Sequence, residues 1–143
     1  MLECFGKGEM FERAWSIRKK VFIDEQNVPE SIELDAFDEH SWHLLLIDED
    51  IPIATGRLVI NDDGNYLIGR VAVLKAYRGQ GVGKKIMENL LRKAWSESAQ
   101  SVEIHAQTHA LTFYENLGFK VVGAEYMEAG MPHVTMCIRN PNR

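Results

Sequence analysis

Glycines alternate with other residues in one short run of the chain, between an apolar segment and an amphipathic one. The run is Arg78-Gly79-Gln80-Gly81-Val82-Gly83, and Lys84 follows it. A turn that opens a helix leaves backbone N–H groups without partners, and the helix dipole adds positive charge there, so such a turn can bind an anion. Glycines let the backbone approach that anion closely. The run therefore predicts a phosphate site, to which Arg78 and Lys84 add charge.

Two common nucleotide motifs can be tested against this spacing. The dinucleotide fingerprint G-x-G-x-x-G needs its third glycine at the position of Lys84. A P-loop that ends at Gly83-Lys84 needs a glycine in place of Arg78, and a serine or threonine in place of Lys85. Both motifs fail, and the pattern that remains is R-x-x-G-x-G between a strand and a helix.

A second motif is rich in aromatic residues and ends at a glycine and a phenylalanine. Residues 109–119 read HALTFYENLGF. The form A-x-x-F-Y-x-x-x-G-F resembles the C-terminal signature of the GNAT superfamily of N-acetyltransferases, and R-x-x-G-x-G at 78–83 resembles that family's acetyl-CoA signature. The two motifs stand in the family's order, with one helix and one strand between them.

Other segments resemble the ElaA-like (YjcF-like) branch of this superfamily. They extend the resemblance over nearly the whole chain, and the branch implies no settled acceptor. The segments are Arg18–Gln26, Glu33–Asp38 with His43, Ala54–Leu58, Ile68–Val73 and Glu128–His133.

The resemblance implies that acetyl-CoA is the co-substrate and that backbone groups hold it. In the family, N–H groups of the glycine turn bind the pyrophosphate. Those of Val71 and Val73 would bind the acetyl and pantetheine carbonyls, where a β-bulge would free them from the sheet. Gln107 stands where many members have an asparagine that contacts the pantetheine arm. The implied coenzyme residues are Val71, Ala72, Val73, Arg78, Gly79, Gln80, Gly81, Val82, Gly83, Lys84 and Gln107.

Tyr114 is the residue that we expect to act as the general acid. When an amine attacks the thioester, a coenzyme A thiolate leaves, and a nearby hydroxyl can protonate it. The family resemblance favours this role over that of an aromatic residue that only packs on a short helix.

The attacking amine must also lose a proton, directly or through water. The candidate bases are Glu25, Glu33, His43, His105 and His133. We select His105 as the second catalytic residue because its strand would lie beside the coenzyme cleft. A hydrogen-bonded interior histidine is an equally open interpretation.

Two kinds of acceptor fit the charges of the chain. The acidic segment that contains Glu25 and Glu33 would attract a cationic acceptor such as a polyamine, an aminoglycoside or a peptide N-terminus, unless it is only a solvated loop. Arg57 and Arg70 would instead attract an anionic acceptor such as an amino-sugar phosphate. These four residues and His133 are the predicted substrate-binding residues, and the choice between acceptors stays open.

Hydrophobic periodicity predicts the elements that position these residues. We expect an α+β fold: a GNAT-like mixed, mostly antiparallel sheet flanked by helices on both faces, in three α/β/α layers. The predicted helices cover 9–24, 81–97 and 109–117, and the predicted strands cover 42–47, 51–60, 66–74, 102–106, 119–124 and 133–138.

Length and composition indicate one acetyltransferase domain over residues 1–143. The net charge of −5 disfavours a nucleic-acid partner, and the two cysteines have no metal-ligand spacing, so we expect no metal. Apolar runs are too short for a membrane span, and the sequence starts without a signal-peptide pattern. We therefore expect a cytoplasmic protein, with a homodimer as a possibility that no residue demands.

The sequence thus predicts an N-acetyltransferase. It would pass the acetyl group of acetyl-CoA to a primary amine of a small molecule or peptide by direct attack, with Tyr114 as general acid. The alternative is a non-enzymatic acyl-CoA sensor, which would need the phosphate turn but no amine pocket.

Overall fold

The computed structural model describes residues 2–7, 11–28, 41–61 and 63–142. Within these residues, eight strands form one sheet in the order β1-β2-β3-β4-β5-β8-β6, and β7 also pairs with β8. The strands are β1 (Leu2–Gly6), β2 (Trp42–Asp48), β3 (Ile51–Ile60), β4 (Tyr66–Val73), β5 (Ser101–Gln107), β6 (Lys120–Val121), β7 (Tyr126–Glu128) and β8 (Met131–Arg139).

The helices are short except for the one that follows the glycine turn. Helix α1 (Phe11–Arg18) continues directly as a π-helix over Lys19–Glu25, helix α2 spans Val82–Ser96, and helix α3 spans Leu111–Glu115. A 3-10 turn precedes α3 at Thr108–Ala110. The predicted helix at 9–24 is therefore two helices of different winding, and its first two positions lie outside the described residues.

Neighbouring strands run antiparallel, with one exception at the centre of the sheet. There β4 and β5 pair in parallel. A parallel pair needs a crossover connection, and α2 supplies it because it lies between β4 and β5 in the chain. The prediction of a mixed, mostly antiparallel sheet is confirmed.

Helices cover both faces of the sheet. Because successive side chains of a strand point to opposite faces, Leu44 and Leu46 of β2 pack in the cluster of α2, while Leu45 and Ile47 pack in the cluster of α1. The α2 stripe that the sequence predicted is buried at Val82, Ile86, Leu90 and Ala94, and the α1 cluster contains Ala14, Ile17 and Val21. This arrangement is the predicted three-layer fold.

The predictions at the C-terminal end of the chain were partly wrong. The strand predicted at 119–124 contains only Lys120–Val121, because β6 meets β8 at two positions and the chain then turns away. The strand β7 was not predicted, since Tyr126–Glu128 is short and partly polar. It forms a hairpin with β8 through Ala129 and Gly130, which have φ of 50° and 76°.

Candidate active site

The central parallel strands separate and leave a cleft between them. Their pairing runs from Tyr66 opposite Val102 to Ile68 opposite Ile104. Beyond this point β4 carries a bulge, because Arg70 and Val71 together oppose Gly56 of β3. Arg70 has φ of 52°, a left-handed conformation that bends the strand. The predicted bulge therefore exists, and it lies where β4 leaves β5.

The backbone beyond the bulge directs one amide group toward the cleft. The N–H of Leu74 donates to the carbonyl of Ile53 on β3 at 2.9 Å. Amides alternate in direction along a strand, so the N–H of Val73 points the other way, toward the side that β5 has left. Ala72 is paired opposite Thr55, and its side chain packs in the α1 cluster. Of Ala72 and Val73, it is therefore Val73 whose N–H group can serve as a hydrogen-bond donor in the cleft.

A cavity of about 560 Å³ opens from this cleft. Its walls come from the π-helix, from β3 to β5, from the segment around α3, and from the β7–β8 hairpin. Seven of the residues predicted for the site line it, namely Arg57, Arg70, Val71, His105, Gln107, Tyr114 and His133. The fold therefore brings together predicted site residues from distant segments of the chain.

The glycine turn lies at the end of β4, where α2 begins. Gly79 and Gly81 have φ of 76° and 79°, a conformation that favours glycine, and Gly81 is the residue that caps α2. Gly83 is helical, and a Cβ there would lie 3.6 Å from the Phe113 ring, which is an ordinary contact. Glycine is thus required by the backbone at two of the three positions.

The charged residues of this turn have protein partners. Arg78 makes a bidentate ion pair with Glu25 of the π-helix, with both N–O distances 2.9 Å, and its Nε donates to the carbonyl of Val73 at 2.9 Å. Lys85 approaches Glu3 at 3.6 Å, and Lys84 is exposed. Arg78 therefore fastens the turn to the strand end and to the π-helix.

Of three predicted acceptor-side residues, two do not reach the cavity and the third lies outside the described residues. Glu25 lies outside its lining and is held by Arg78, which does not fit the predicted role in substrate binding. His43 is buried within β2 and is also absent from the lining. Glu33 and most of the acidic segment lie outside the described residues.

Tyr114 is held by an aromatic cluster that residues of the second motif form. Its ring meets those of Phe113 and Phe119 edge to face, at centroid separations of 5.1 and 6.0 Å. The N–H of Phe119 donates to the carbonyl of Tyr114 at 3.2 Å, which closes the turn after α3 at Gly118. Burial raises the pKa of Tyr114 above its usual range, so its hydroxyl stays protonated at neutral pH.

Gln107 connects three segments around the cavity. Its amide nitrogen donates to Oε1 of Gln26 at 3.1 Å, and its own Oε1 lies 2.6 Å from Nε2 of His109. Gln26 caps the π-helix, so this contact links that helix to the end of β5. A primary amide has two N–H donors, which leaves Gln107 a second N–H for a ligand.

Two histidines and a glutamate form a cluster on the cavity wall. His105 and His133 project from the same face of the paired strands β5 and β8. Glu128 Oε1 lies 3.4 Å from His105 Nδ1, and Glu128 Oε2 lies 3.6 Å from His133 Nε2. Nε2 of His105 also lies 3.3 Å from Glu103. The carboxylate of Glu128 is thus shared between both predicted histidines.

Comparison with known proteins agrees with this geometry. The sequence model of the family described as Acetyltransferase (GNAT) domain matches residues 8–140. The chain belongs to the GNAT acetyltransferases. It is 36% identical to the uncharacterized N-acetyltransferase YjcF of Bacillus subtilis over 129 residues, which cover 90% of this chain and 91% of that protein.

Solved structures give the same result for this GNAT acetyltransferase. Escherichia coli ElaA superposes with a TM-score of 0.88 at 27% identity, over 97% of this chain and 100% of that one. An acyl-CoA N-acyltransferase from Pseudomonas aeruginosa superposes with a TM-score of 0.88 at 28% identity, over 96% and 98%. The resemblance to the ElaA-like and YjcF-like branch is confirmed, and the protein is an acyl-CoA-dependent N-acetyltransferase.

Some lining residues of this acetyltransferase were missed by the sequence analysis. They include Phe22, Gln26, His109 and Glu128. Glu128 could have been predicted from the sequence, because Ala129-Gly130 can form a two-residue turn between two strands, and side chains alternate in direction along each strand. Reading that hairpin would have placed Glu128 and His133 on one face. Phe22 and Gln26 carry no such signal, since their position depends on the π-helix.

Two further findings bear on the expected partners of the acetyltransferase. Across the described ranges of the chain, no group of three or more histidine, cysteine, aspartate or glutamate side chains is placed to hold a metal ion. Among the helices of those ranges, none is long and apolar enough to cross a membrane.

Proposed function

We propose that this protein transfers the acetyl group of acetyl-CoA directly to a primary amine of a small molecule or peptide, and that residues 1–143 act as one domain. The observation that carries the proposal is the cleft between β4 and β5. The cleft lies where β4 runs on toward the glycine turn of α2, and the cavity that opens from the cleft is lined by Tyr114. Donor and acceptor can therefore meet beside a protonated hydroxyl.

The pyrophosphate of the coenzyme would bind to the backbone at the start of α2. The first N–H groups of a helix have no intrahelical partner, and those of Val82, Gly83 and Lys84 stand at this position. Gly79 and Gly81 allow the turn that presents them, and exposed Lys84 adds a positive charge. Arg78 acts here by fixing the turn, because its guanidinium is already paired with Glu25.

The thioester would lie along the end of β4. The N–H of Val73 is directed away from β3, and Val71 lies at the bulge and on the cavity wall. A backbone N–H at the thioester oxygen stabilises the negative charge that develops there when the amine attacks. The second N–H of Gln107 would hold the pantetheine arm from the β5 side.

Tyr114 would then protonate the leaving thiolate. The step needs a hydroxyl that keeps its proton at neutral pH, and the raised pKa of Tyr114 meets this need. The acceptor amine would occupy the part of the cavity that Arg57, Arg70 and His133 line.

Binding of the coenzyme can be tested by thermal unfolding. A ligand that binds only the native state adds about 2.7 kcal/mol to the free energy of unfolding when its concentration is roughly 100 times Kd. We expect acetyl-CoA to raise the melting temperature by several degrees. An unchanged melting temperature at millimolar acetyl-CoA would refute the proposal.

A further inference from the structure

We propose that Glu128 is the base that takes the proton from the acceptor ammonium, with His105 and His133 as the groups that share this proton. The inference depends on the proposed acetyl transfer. It differs from the sequence prediction, in which His105 was selected from five candidate bases and Glu128 was not among them. The residue that the sequence analysis passed over lies between the two histidines that it selected.

The carboxylate of Glu128 faces two imidazole rings and is also accessible from the cavity. Its two oxygens face different imidazole rings, at 3.4 Å from His105 and 3.6 Å from His133, which are ion-pair separations rather than short hydrogen bonds. Its side chain is 43% exposed and lines the cavity. An ammonium group in the cavity can therefore reach a carboxylate oxygen of Glu128.

The hydrogen bond of His133 indicates which of its two ring nitrogens can accept a proton. Nδ1 of His133 lies 2.8 Å from the carbonyl oxygen of Met131, which only accepts, so Nδ1 carries the ring hydrogen. In the neutral ring Nε2 then has a lone pair, and this lone pair faces Oε2 of Glu128. Two acceptor atoms therefore face each other, and a proton that arrives between them can be held by both.

His105 provides a path from the cluster to water. Its two nitrogens face Glu103 and Glu128, but a neutral imidazole has one N–H and can donate to only one of them. A proton that arrives at Glu128 can therefore be shared with His105, whose side chain is 39% exposed. The exposed ring can pass the proton to solvent, because each nitrogen of an imidazole can accept or donate a proton.

The surroundings fix the two rings. Tyr126 of β7 stacks on His133 with centroids 6.1 Å apart and meets His105 edge to face at 6.0 Å. Burial raises the pKa of Tyr126, so its ring stays neutral beside the cluster. The titratable and charged groups that face the cluster or line the same cavity are Glu103, His105, Tyr126, His133, Arg57, Arg70, His109 and Tyr114.

The protons balance over the whole transfer. An N–H bond of the ammonium breaks as an O–H bond forms on Glu128, and the freed lone pair attacks the thioester carbon. The C–N bond forms, and the oxyanion collapses as the C–S bond breaks. The thiolate takes the hydroxyl proton of Tyr114, and Tyr114 regains a proton from the nitrogen of the new amide. The products are the acetylated amine, the free thiol and the proton on Glu128.

The test compares Glu128→Gln with Glu125→Gln, measuring kcat/KM against pH. Glu125 is exposed in the loop before β7 and lies outside the cavity lining, so its variant matches the change in charge without touching the cluster. We expect Glu128→Gln to lower kcat/KM at neutral pH by roughly 10²–10⁴-fold, the usual size of a general-base contribution. The loss should shrink as pH rises, because an amine that is already deprotonated needs no base.

Glu128→Asp should recover part of the activity, and calorimetry should give an unchanged Kd for acetyl-CoA in each variant. A Glu128→Gln variant with wild-type kcat/KM would overturn the assignment. So would a loss of equal size at every pH, which would indicate a structural role. A wild-type protein that transfers acetyl to no amine would instead overturn the proposed function itself, together with this assignment.

Discussion

At the scale of single residues, the chemistry depends on how each polar side chain is kept in one protonation state. Burial keeps the hydroxyl of Tyr114 protonated, and the carbonyl of Met131 keeps a hydrogen on Nδ1 of His133. The exposed carboxylate of Glu128 lies between the histidines. A hydroxyl that keeps its proton and a carboxylate thus line one cavity, as the proposed transfer from a thioester to an ammonium requires.

Tyr114→Phe removes the proposed acid and keeps the ring. We expect kcat to fall roughly 10²–10⁴-fold, because the thiolate leaves without a proton donor, while Kd for acetyl-CoA stays within a few-fold. Steady-state kinetics and calorimetry measure the two quantities. Tyr66→Phe is the control, since the Tyr66 hydroxyl donates to the carbonyl of Glu97 outside the cavity. A wild-type kcat in Tyr114→Phe would exclude the acid role.

At the scale of elements, the sequence could predict the helices and turns that are determined by interactions between residues close together in the chain. The α2 stripe and the hairpin at Asn61–Asn65 follow from periodicity and turn chemistry, and in the structure Asn61 Oδ1 accepts from the N–H groups of Asp63 and Asn65. The π-helix and β7 do not follow in this way. The π-helix is held by tertiary contacts such as Arg78 with Glu25, and β7 exists only by pairing with β8.

The glycine turn gives a prediction at this scale. Gly81→Ala places a Cβ at φ of 79°, which costs roughly 1–2 kcal/mol, so the free turn should relax away from the geometry that presents its N–H groups. We expect Kd for acetyl-CoA to rise about tenfold. Gly64→Ala is the control, because Gly64 has φ of 81° and open space around it but lies at the far hairpin.

In that control, the free energy of unfolding should fall by a similar amount while Kd stays the same. Equal Kd values for Gly81→Ala, Gly64→Ala and the wild-type protein, measured by calorimetry, would show that the turn does not hold the coenzyme.

At the scale of the whole molecule, the layers could be predicted and the cavity could not. The continuous apolar run of β2, whose successive side chains point to opposite faces, and the α2 stripe predict helices on both faces of the sheet. The cavity depends on where β4 and β5 separate, on the bulge at Arg70, and on the hairpin that brings Glu128 over His105. These features depend on contacts between segments far apart in the chain, which the residue types of one segment do not predict. The cleft was therefore expected only from the family resemblance.

The close packing of α2 on the sheet gives a stability prediction. A Cβ on Gly56 would lie 2.7 Å from Cδ1 of Leu90 and 3.0 Å from Cγ2 of Ile86, both fully buried. We expect Gly56→Ala to lower the free energy of unfolding by about 1–3 kcal/mol through overpacking, as measured by urea denaturation. Gly69→Ala, on the adjacent strand with nothing within 4 Å of its Cβ, should change it much less.

If Gly56→Ala and Gly69→Ala had the same stability, α2 would not pack on β3 as closely as the structure has it.

The central claim is that the cleft and the cavity together form an acetyl-transfer site. The measurement that tests it most directly is the rate at which free coenzyme A thiol appears when the protein and acetyl-CoA meet a panel of amines. The panel would contain polyamines, aminoglycosides, peptide N-termini and amino-sugar phosphates, with an amine-free control. We expect release that depends on at least one class of amine, with an equal amount of acetylated amine by mass spectrometry. Stabilisation by acetyl-CoA with no amine-dependent release across the panel would contradict the claim and would identify an acyl-CoA sensor instead.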